Sequence, residues 1–260
     1  MHILKILLYF FSFIAIISIL LPLVRKDLWV FRIFDYPRLQ KSALIGILAI
    51  VWLVFFREST FWPDLGIMAF LSAAFFYLLY LILPFTFMGK TMIAKAEAKG
   101  GKTLSLLVAN IYQNNNNYQK LLALVKKRHP DIVFLVETDE KWLEGVKELR
   151  EEYPHFIEIP LGNTYGLLFY SRLPIKNSEI NYLIDKEIPS IIADVEFAGQ
   201  AIRIFGLHPT PPVPQENDHS TDRDAEILLV GKMAKEHEGP CLVIGDLNDV
   251  AWSYTTKLFL

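Results

Sequence analysis

Apolar positions are spread along this chain in two ways, and the change comes near residue 88. Before it they form long unbroken runs. Ile3 to Val24 is apolar apart from Lys5 and a few hydroxyls, Ser42 to Phe56 is a shorter run, and Leu65 to Phe87 carries no charge. The first and third, at 22 and 23 residues, are long enough for helices that cross a bilayer core. The second has 15 residues and needs help from its flanks or from local thinning, but it too is read as a span. Trp52, Trp62, Tyr77 and Tyr80 suit interfacial anchors. Pro22, Arg25, Lys26 and Trp29 follow the first run in place of the small residues of a cleavage site, so it reads as an anchor and not a removed leader.

Beyond a small, lysine-containing linker, residues 89–102, apolar residues come in short blocks bounded by turn formers. Leu104 to Ile111, Ile132 to Val136, Tyr165 to Ser171, Ser190 to Phe197, Gln200 to Leu207 and Cys241 to Ile244 predict strands. The fourth and fifth predict a hairpin about Ala198-Gly199. Helices are predicted over Tyr118–Arg128 with Asn117 as cap, over Glu140–Glu152, and over Thr221–His237 with Asp222 and Asp224 in the first turn. The expected organisation is α/β: three transmembrane helices within residues 1–88, then a mixed α/β domain from 103 to 260.

Composition agrees with that division. The hydrophobic fraction of 53% and mean hydropathy of +0.31 exceed those of an ordinary soluble chain. Residues 1–88 carry a net +3 and the remainder −5, which argues against a general polyanion-binding surface on the second part without excluding a small phosphoester. Arg25, Lys26, Arg32, Arg38 and Lys41 lie in the first loop, and Lys90, Lys95, Lys99 and Lys102 after the third span; only Lys5 and Arg57 oppose them. The bias of basic residues toward the cytoplasm therefore places the α/β part on that side of a plasma membrane. The aromatic and basic loop from Trp29 to Arg38 reads as a membrane-surface segment. Cys241, the single cysteine, excludes an internal disulfide and is expected to be a buried thiol.

Four predicted strands end in a polar residue: Asn110, Glu137, His208, and Asp246 with Asn248. A carboxylate at a strand end can ligate a hard cation, and an amide two residues on can hold a water or a phosphoryl oxygen. His2, His129, His155 and His237 have no spacing that suggests a ligand set.

These strand ends, with Pro130-Asp-Ile-Val-Phe-Leu-Val-Glu137-Thr, Gly166-Leu-Leu-Phe-Tyr-Ser171-Arg-Leu-Pro, Gly206-Leu-His208-Pro and Gly245-Asp-Leu-Asn248, resemble the endonuclease/exonuclease/phosphatase superfamily of deoxyribonuclease-I-like fold, in order and spacing, over about residues 103–256. The apolar first part, with Phe34-Asp-Tyr-Pro-Arg-Leu, is similar to its membrane-anchored bacterial branch. The resemblance implies two packed sheets with helices outside. It implies hydrolysis of a phosphodiester or phosphomonoester (nucleic acid, lipid headgroup or small molecule) by water, with a divalent cation, Mg2+ or Mn2+. Glu137, helped by Asn110 and with Asp246 a further candidate, would bind the cation. His208 would contact the scissile phosphate, Asn110 and Asn248 would help hold the substrate, and Asp246 and Asn248 would orient the water or assist the leaving group.

The family's later Asp-His pair and closing strands have no counterpart before Leu260, 12 residues after Asn248. Asp218-His219 lies in a proline-rich loop and reads as solvated. A fragment or shortened product is therefore expected, with an apolar edge or face left exposed. The competing expectation is a membrane protein that binds a phosphorylated ligand without cleaving it. A transporter is disfavoured, since no ionisable residue lies deep in an apolar run. The partners implied are a lipid bilayer and a phosphoester; no protein partner is indicated.

Overall fold

The computed structural model describes residues 2–24, 26–91, 101–214 and 216–260. They form a helical unit and an α/β unit. Most of the expected linker, residues 92–100, lies outside the described residues.

In the helical unit, α1 (His2–Leu20), the short α2 (Trp29–Arg32), α3 (Arg38–Phe56) and α4 (Trp62–Ile82) follow in order. Three helical segments, His2–Leu23, Arg38–Phe56 and Trp62–Phe85, are long and apolar enough to cross a membrane, by length and composition. The second span gains a turn over the apolar run because α3 starts at Arg38. The Arg38 guanidinium lies 2.7 Å from Asp35 Oδ1, and Lys41 Nζ donates to the carbonyls of Ser18 and Phe34. Trp52, Leu71 and Ile45 fill the interior, and Trp52 Nε1 donates to Ser12 Oγ at 2.9 Å. Asp64, which sequence reasoning left between spans, is fully buried and accepts hydrogen bonds from Lys5, Ser59 and Tyr9. Lys5 stands near the start of α1 and Asp64 near the start of α4, so these two helices run in the same direction.

The α/β unit is built from β1 (Leu106–Asn110), α5 (Tyr118–Arg128), β2 (Ile132–Val136), α6 (Glu140–Gly145), α7 (Leu149–Glu152), β3 (His155–Ile159), β4 (Leu167–Ser171), β5 (Ile175–Asn181), β6 (Ser190–Phe197), β7 (Gln200–Leu207), α8 (Thr221–Glu236), β8 (Cys241–Gly245) and α9 (Tyr254–Phe259). Two four-stranded sheets have the orders β1-β2-β4-β3 and β5-β6-β7-β8. The alternation of side chains along a strand explains the layering. In β2, Val133 and Leu135 join Leu122, Val125, Trp142 and Tyr153 under the helices, whereas Ile132, Phe134 and Val136 meet Ile191, Ala193, Val195 and Ile204 of the second sheet. On the outer face of that sheet, Phe205 and Leu207 pack with Val230 of α8. The result is a helix–sheet–sheet–helix sandwich, the α/β class expected. Gly206 is required between the layers, because a Cβ there would lie 2.8 Å from the Phe134 ring.

Several expectations change. The helix predicted over Glu140–Glu152 is two short helices, because α6 ends at Gly145, which lies against the Tyr118 ring, and Val146 leaves helical geometry. Asn117 begins α5 but forms no side-chain cap; its amide donates to Asn115 Oδ1 at 2.7 Å. His129, in left-handed conformation, closes that helix through its N–H to the Val125 carbonyl. The strands β3 and β5 and the helix α9 were not predicted; β5 reads Ile-Lys-Asn-Ser-Glu-Ile-Asn, mostly exposed, and carries little apolar signal. Cys241 is partly exposed and not buried, with Sγ 3.6 Å from the Ala234 carbonyl. On the edge strands β1 and β8, Val108 and Leu242 are exposed.

Candidate active site

Two parallel strand pairs place the polar strand ends. β1 and β2 are parallel with Asn110 opposite Val136, so Glu137 emerges beside Asn110. β7 and β8 are parallel with Leu207 opposite Gly245, so His208 and Asp246 emerge side by side. Each pair belongs to a different sheet, and the sandwich brings the two pairs together at one rim.

The Asn110 amide is the bridge. Its Nδ2 donates to Glu137 Oε1 at 2.6 Å and to Asp246 Oδ2 at 3.0 Å, while its Oδ1 accepts the Tyr112 N–H at 3.0 Å. The amide therefore presents hydrogens to both carboxylates and keeps its oxygen for the backbone. Glu137 Oε2 also accepts the Gln113 N–H at 3.4 Å. Gln113 was read only as part of an amide-rich loop. It ties that loop to the next by accepting the Thr164 N–H at 2.9 Å and donating to the Gly162 carbonyl at 3.2 Å.

His208 is buried, with Nδ1 3.1 Å from the Asp246 carbonyl and Nε2 3.9 Å from Glu137 Oε1. A carbonyl oxygen can only accept, so Nδ1 carries a proton and Nε2 is the nitrogen presented to the site. The Tyr165 ring lies 5.5 Å from the imidazole, and its hydroxyl donates to Glu216. Burial, and then the Glu216 carboxylate, push the Tyr165 phenol well above its ordinary range, so it stays a neutral donor. Tyr165 was predicted as a strand residue only, and its position beside His208 depends on packing.

The loop after β8 has a shape of its own. Gly245 has φ 138°, and a Cβ would lie 1.8 Å from the Leu207 carbonyl oxygen, so only glycine lets the chain leave the strand beside β7. Asp246 Oδ1 accepts the Asn248 N–H at 3.0 Å, and Asn248 Nδ2 donates to the Pro209 carbonyl at 2.8 Å. Glu137 and Asn248 both have left-handed backbones, at φ 62° and 49°, a cost that surrounding structure must sustain.

Glu137 and Asp246 are two hard-oxygen carboxylates on either side of one amide. Among the described residues no lysine or arginine pairs with either. Two carboxylates with water and phosphoryl oxygens filling the remaining positions form a donor set suited to Mg2+ or Mn2+. Among the described residues no cluster of three or more His, Cys, Asp or Glu residues could hold a metal without such help. The site thus brings together Asn110, Glu137, His208, Asp246 and Asn248. Asp218-His219 is outside these contacts; the His219 N–H donates to Asn217 Oδ1 in its own loop.

A two-sheet sandwich with carboxylate, amide and imidazole groups at the ends of its parallel strands defines a class in which a rigid scaffold holds polar groups at one rim. The chain belongs to the endonuclease/exonuclease/phosphatase family, whose model matches residues 107–260. Among solved structures it is similar to humanized TDP2 from D. rerio, at 23% identity over 57% of this chain and 64% of that one, with a TM-score of 0.49. D. rerio TDP2 complexed with a single-strand DNA product gives 24%, 57%, 62% and 0.49. Sphingomyelinase C from Streptomyces griseocarneus gives 15%, 61%, 69% and 0.49. The chain thus spans under two thirds of the length of the two TDP2 structures. No curated protein matches it in sequence.

Proposed function

We propose that this protein is a membrane-anchored, divalent-metal-dependent phosphoesterase. The observation that carries the reading is the meeting of Asn110, Glu137, His208 and Asp246 across two sheets. Glu137 and Asp246 would hold the cation, which supplies neutralisation of the charge that develops as water attacks phosphorus in line. His208, its ring fixed through Nδ1, turns Nε2 toward the phosphoryl oxygens and can donate to them when protonated. Asp246 and Asn248, at a turn closed by their own hydrogen bond, would orient the water or the leaving oxygen. Asn110, whose two amide hydrogens go to Glu137 and Asp246, would hold the two carboxylates at a fixed separation.

The anchor is supported by the three long apolar helices. Apolar side chains such as Ile3, Phe10, Phe13, Ile47, Val54 and Phe76 face outward from that unit, as a lipid environment requires. The distribution of lysine and arginine supports an α/β domain on the cytoplasmic face of a plasma membrane. The acidic balance of the second part favours a small phosphoester or a lipid headgroup over long nucleic acid.

The test is hydrolysis by the full chain in lipid nanodiscs, with and without Mg2+, on bis(p-nitrophenyl) phosphate, p-nitrophenyl phosphate, phospholipid vesicles and single-stranded DNA. Turnover that needs the metal and falls by about a thousandfold in Glu137→Ala and Asp246→Ala is expected. Metal-dependent binding of phosphoesters with no turnover would overturn the enzymatic reading and leave a ligand-binding membrane protein.

A further inference from the structure

We infer that Arg223 positions the Gly245–Asp249 loop, and through it Asp246 and His208; the meaning of this for catalysis rests on the phosphoesterase reading. Arg223 lies in the first turn of α8 and is 2% exposed, which is unusual for a charged side chain. Its Nε and Nη2 donate to Asp224 Oδ1 at 3.1 and 2.7 Å, and Ser220 Oγ donates to the other Asp224 oxygen at 2.8 Å. That sets the plane of the guanidinium. Nη1 is then aimed at the site loop, where it donates to the Asn248 carbonyl at 2.8 Å and lies 3.7 Å from Asp249 Oδ1.

This bond falls at the point the loop most needs it. Asn248 has a left-handed backbone, and its carbonyl accepts from the buried Arg223. Asp249 is held at Oδ2 by Ser253 and Thr256, at the start of α9, so Arg223 supplies the opposing charge to a carboxylate whose side chain is only 3% exposed. The loop is therefore anchored at both ends. At one end the Asp246 carbonyl receives His208 Nδ1, and at the other the Asn248 carbonyl receives Arg223. Asp246, between them, turns its carboxylate to Asn110. A lysine could keep the charge, but a point donor cannot reproduce a planar fork that spans Asp224 and Asn248 together.

The test uses the full chain in nanodiscs, labelled with 15N-asparagine and 15N-histidine. In Arg223→Lys the Asn248 amide and His208 ring resonances should move, while those of Asn117 and His155, outside these contacts, stay in place. Turnover should fall about tenfold or more in kcat, with KM within about threefold, and free guanidinium should restore part of the activity of Arg223→Gly. If Arg223→Lys does not fold, Asp224→Asn, which loosens the fork and keeps the guanidinium, should move the same resonances. Unmoved Asn248 and His208 resonances in a folded variant, or a kcat within threefold of the unsubstituted chain, would overturn the inference. Resonances that move in a chain that hydrolyses nothing would uphold the positioning and remove the hydrolase reading instead.

Discussion

The helical and α/β units distribute apolar and polar side chains in opposite ways. In the helical unit large apolar side chains such as Phe13, at 63% exposure, face out, and the buried positions include Ser12, Ser42, Arg38 and Asp64. In the α/β unit Phe134, Phe169 and Tyr170 are fully buried, and the polar groups of the site gather at strand ends. The difference teaches what a buried polar residue means in each. Among the helices, where apolar side chains face outward as well as inward, a polar cluster such as Lys5, Tyr9 and Asp64 supplies directional contact. In the sandwich the apolar layers supply cohesion and free the rim for chemistry.

A matched pair of substitutions is the sharpest test. Phe134→Ala should destabilise the α/β unit by about 3–5 kcal/mol, through lost burial and a cavity between the sheets. Phe13→Ala should change helical stability by no more than about 0.5 kcal/mol in a bilayer, since the side chain leaves one apolar surrounding for another. Hydrogen exchange on the chain in nanodiscs would read both, and equal losses would break the comparison. Next in size is Lys5→Met, which leaves Asp64 buried without its cation and should cost about 3 kcal/mol in unfolding titrations with SDS.

A further effect depends on pH. Burial, and then the charge of Asp185, raise the Glu226 carboxyl from 4.5 to about 7. Between those values the folded chain holds a proton that the unfolded chain has released, so this group's contribution to stability falls as pH rises through that window, and is constant below and above it. Glu226→Gln should therefore match the unsubstituted chain near pH 4.5 and exceed it by up to about 3 kcal/mol above pH 7, in unfolding curves recorded across the range. A difference independent of pH would show that the carboxyl titrates normally.

Much of the fold was legible because its signals are local. The fully apolar β2, the β6–β7 hairpin at Ala198-Gly199 and the helix α8 were predicted within a residue of their observed bounds. The edge strand β5 was not, because an exposed strand carries polar residues on both faces. The break between α6 and α7 was hidden as well, since it answers to Tyr118, more than twenty residues earlier. Asn110, Glu137, His208, Asp246 and Asn248 were legible as polar residues closing apolar runs. Gln113, Tyr165 and Arg223 were not, because an amide in a loop, an aromatic before a strand and an arginine in a helix look the same whether or not they face a site.

The sequence by itself determined the apolar runs, the strands with polar ends, and the glycines at 206 and 245, because side-chain period, backbone restriction and chain order are properties of neighbouring residues. Tertiary structure alone decided that Asn110 and Asp246, 136 positions apart, share a hydrogen bond, and that a buried arginine closes on the Asn248 carbonyl. Those contacts depend on parallel register within each sheet and on the stacking of one sheet upon the other. No local pattern encodes either.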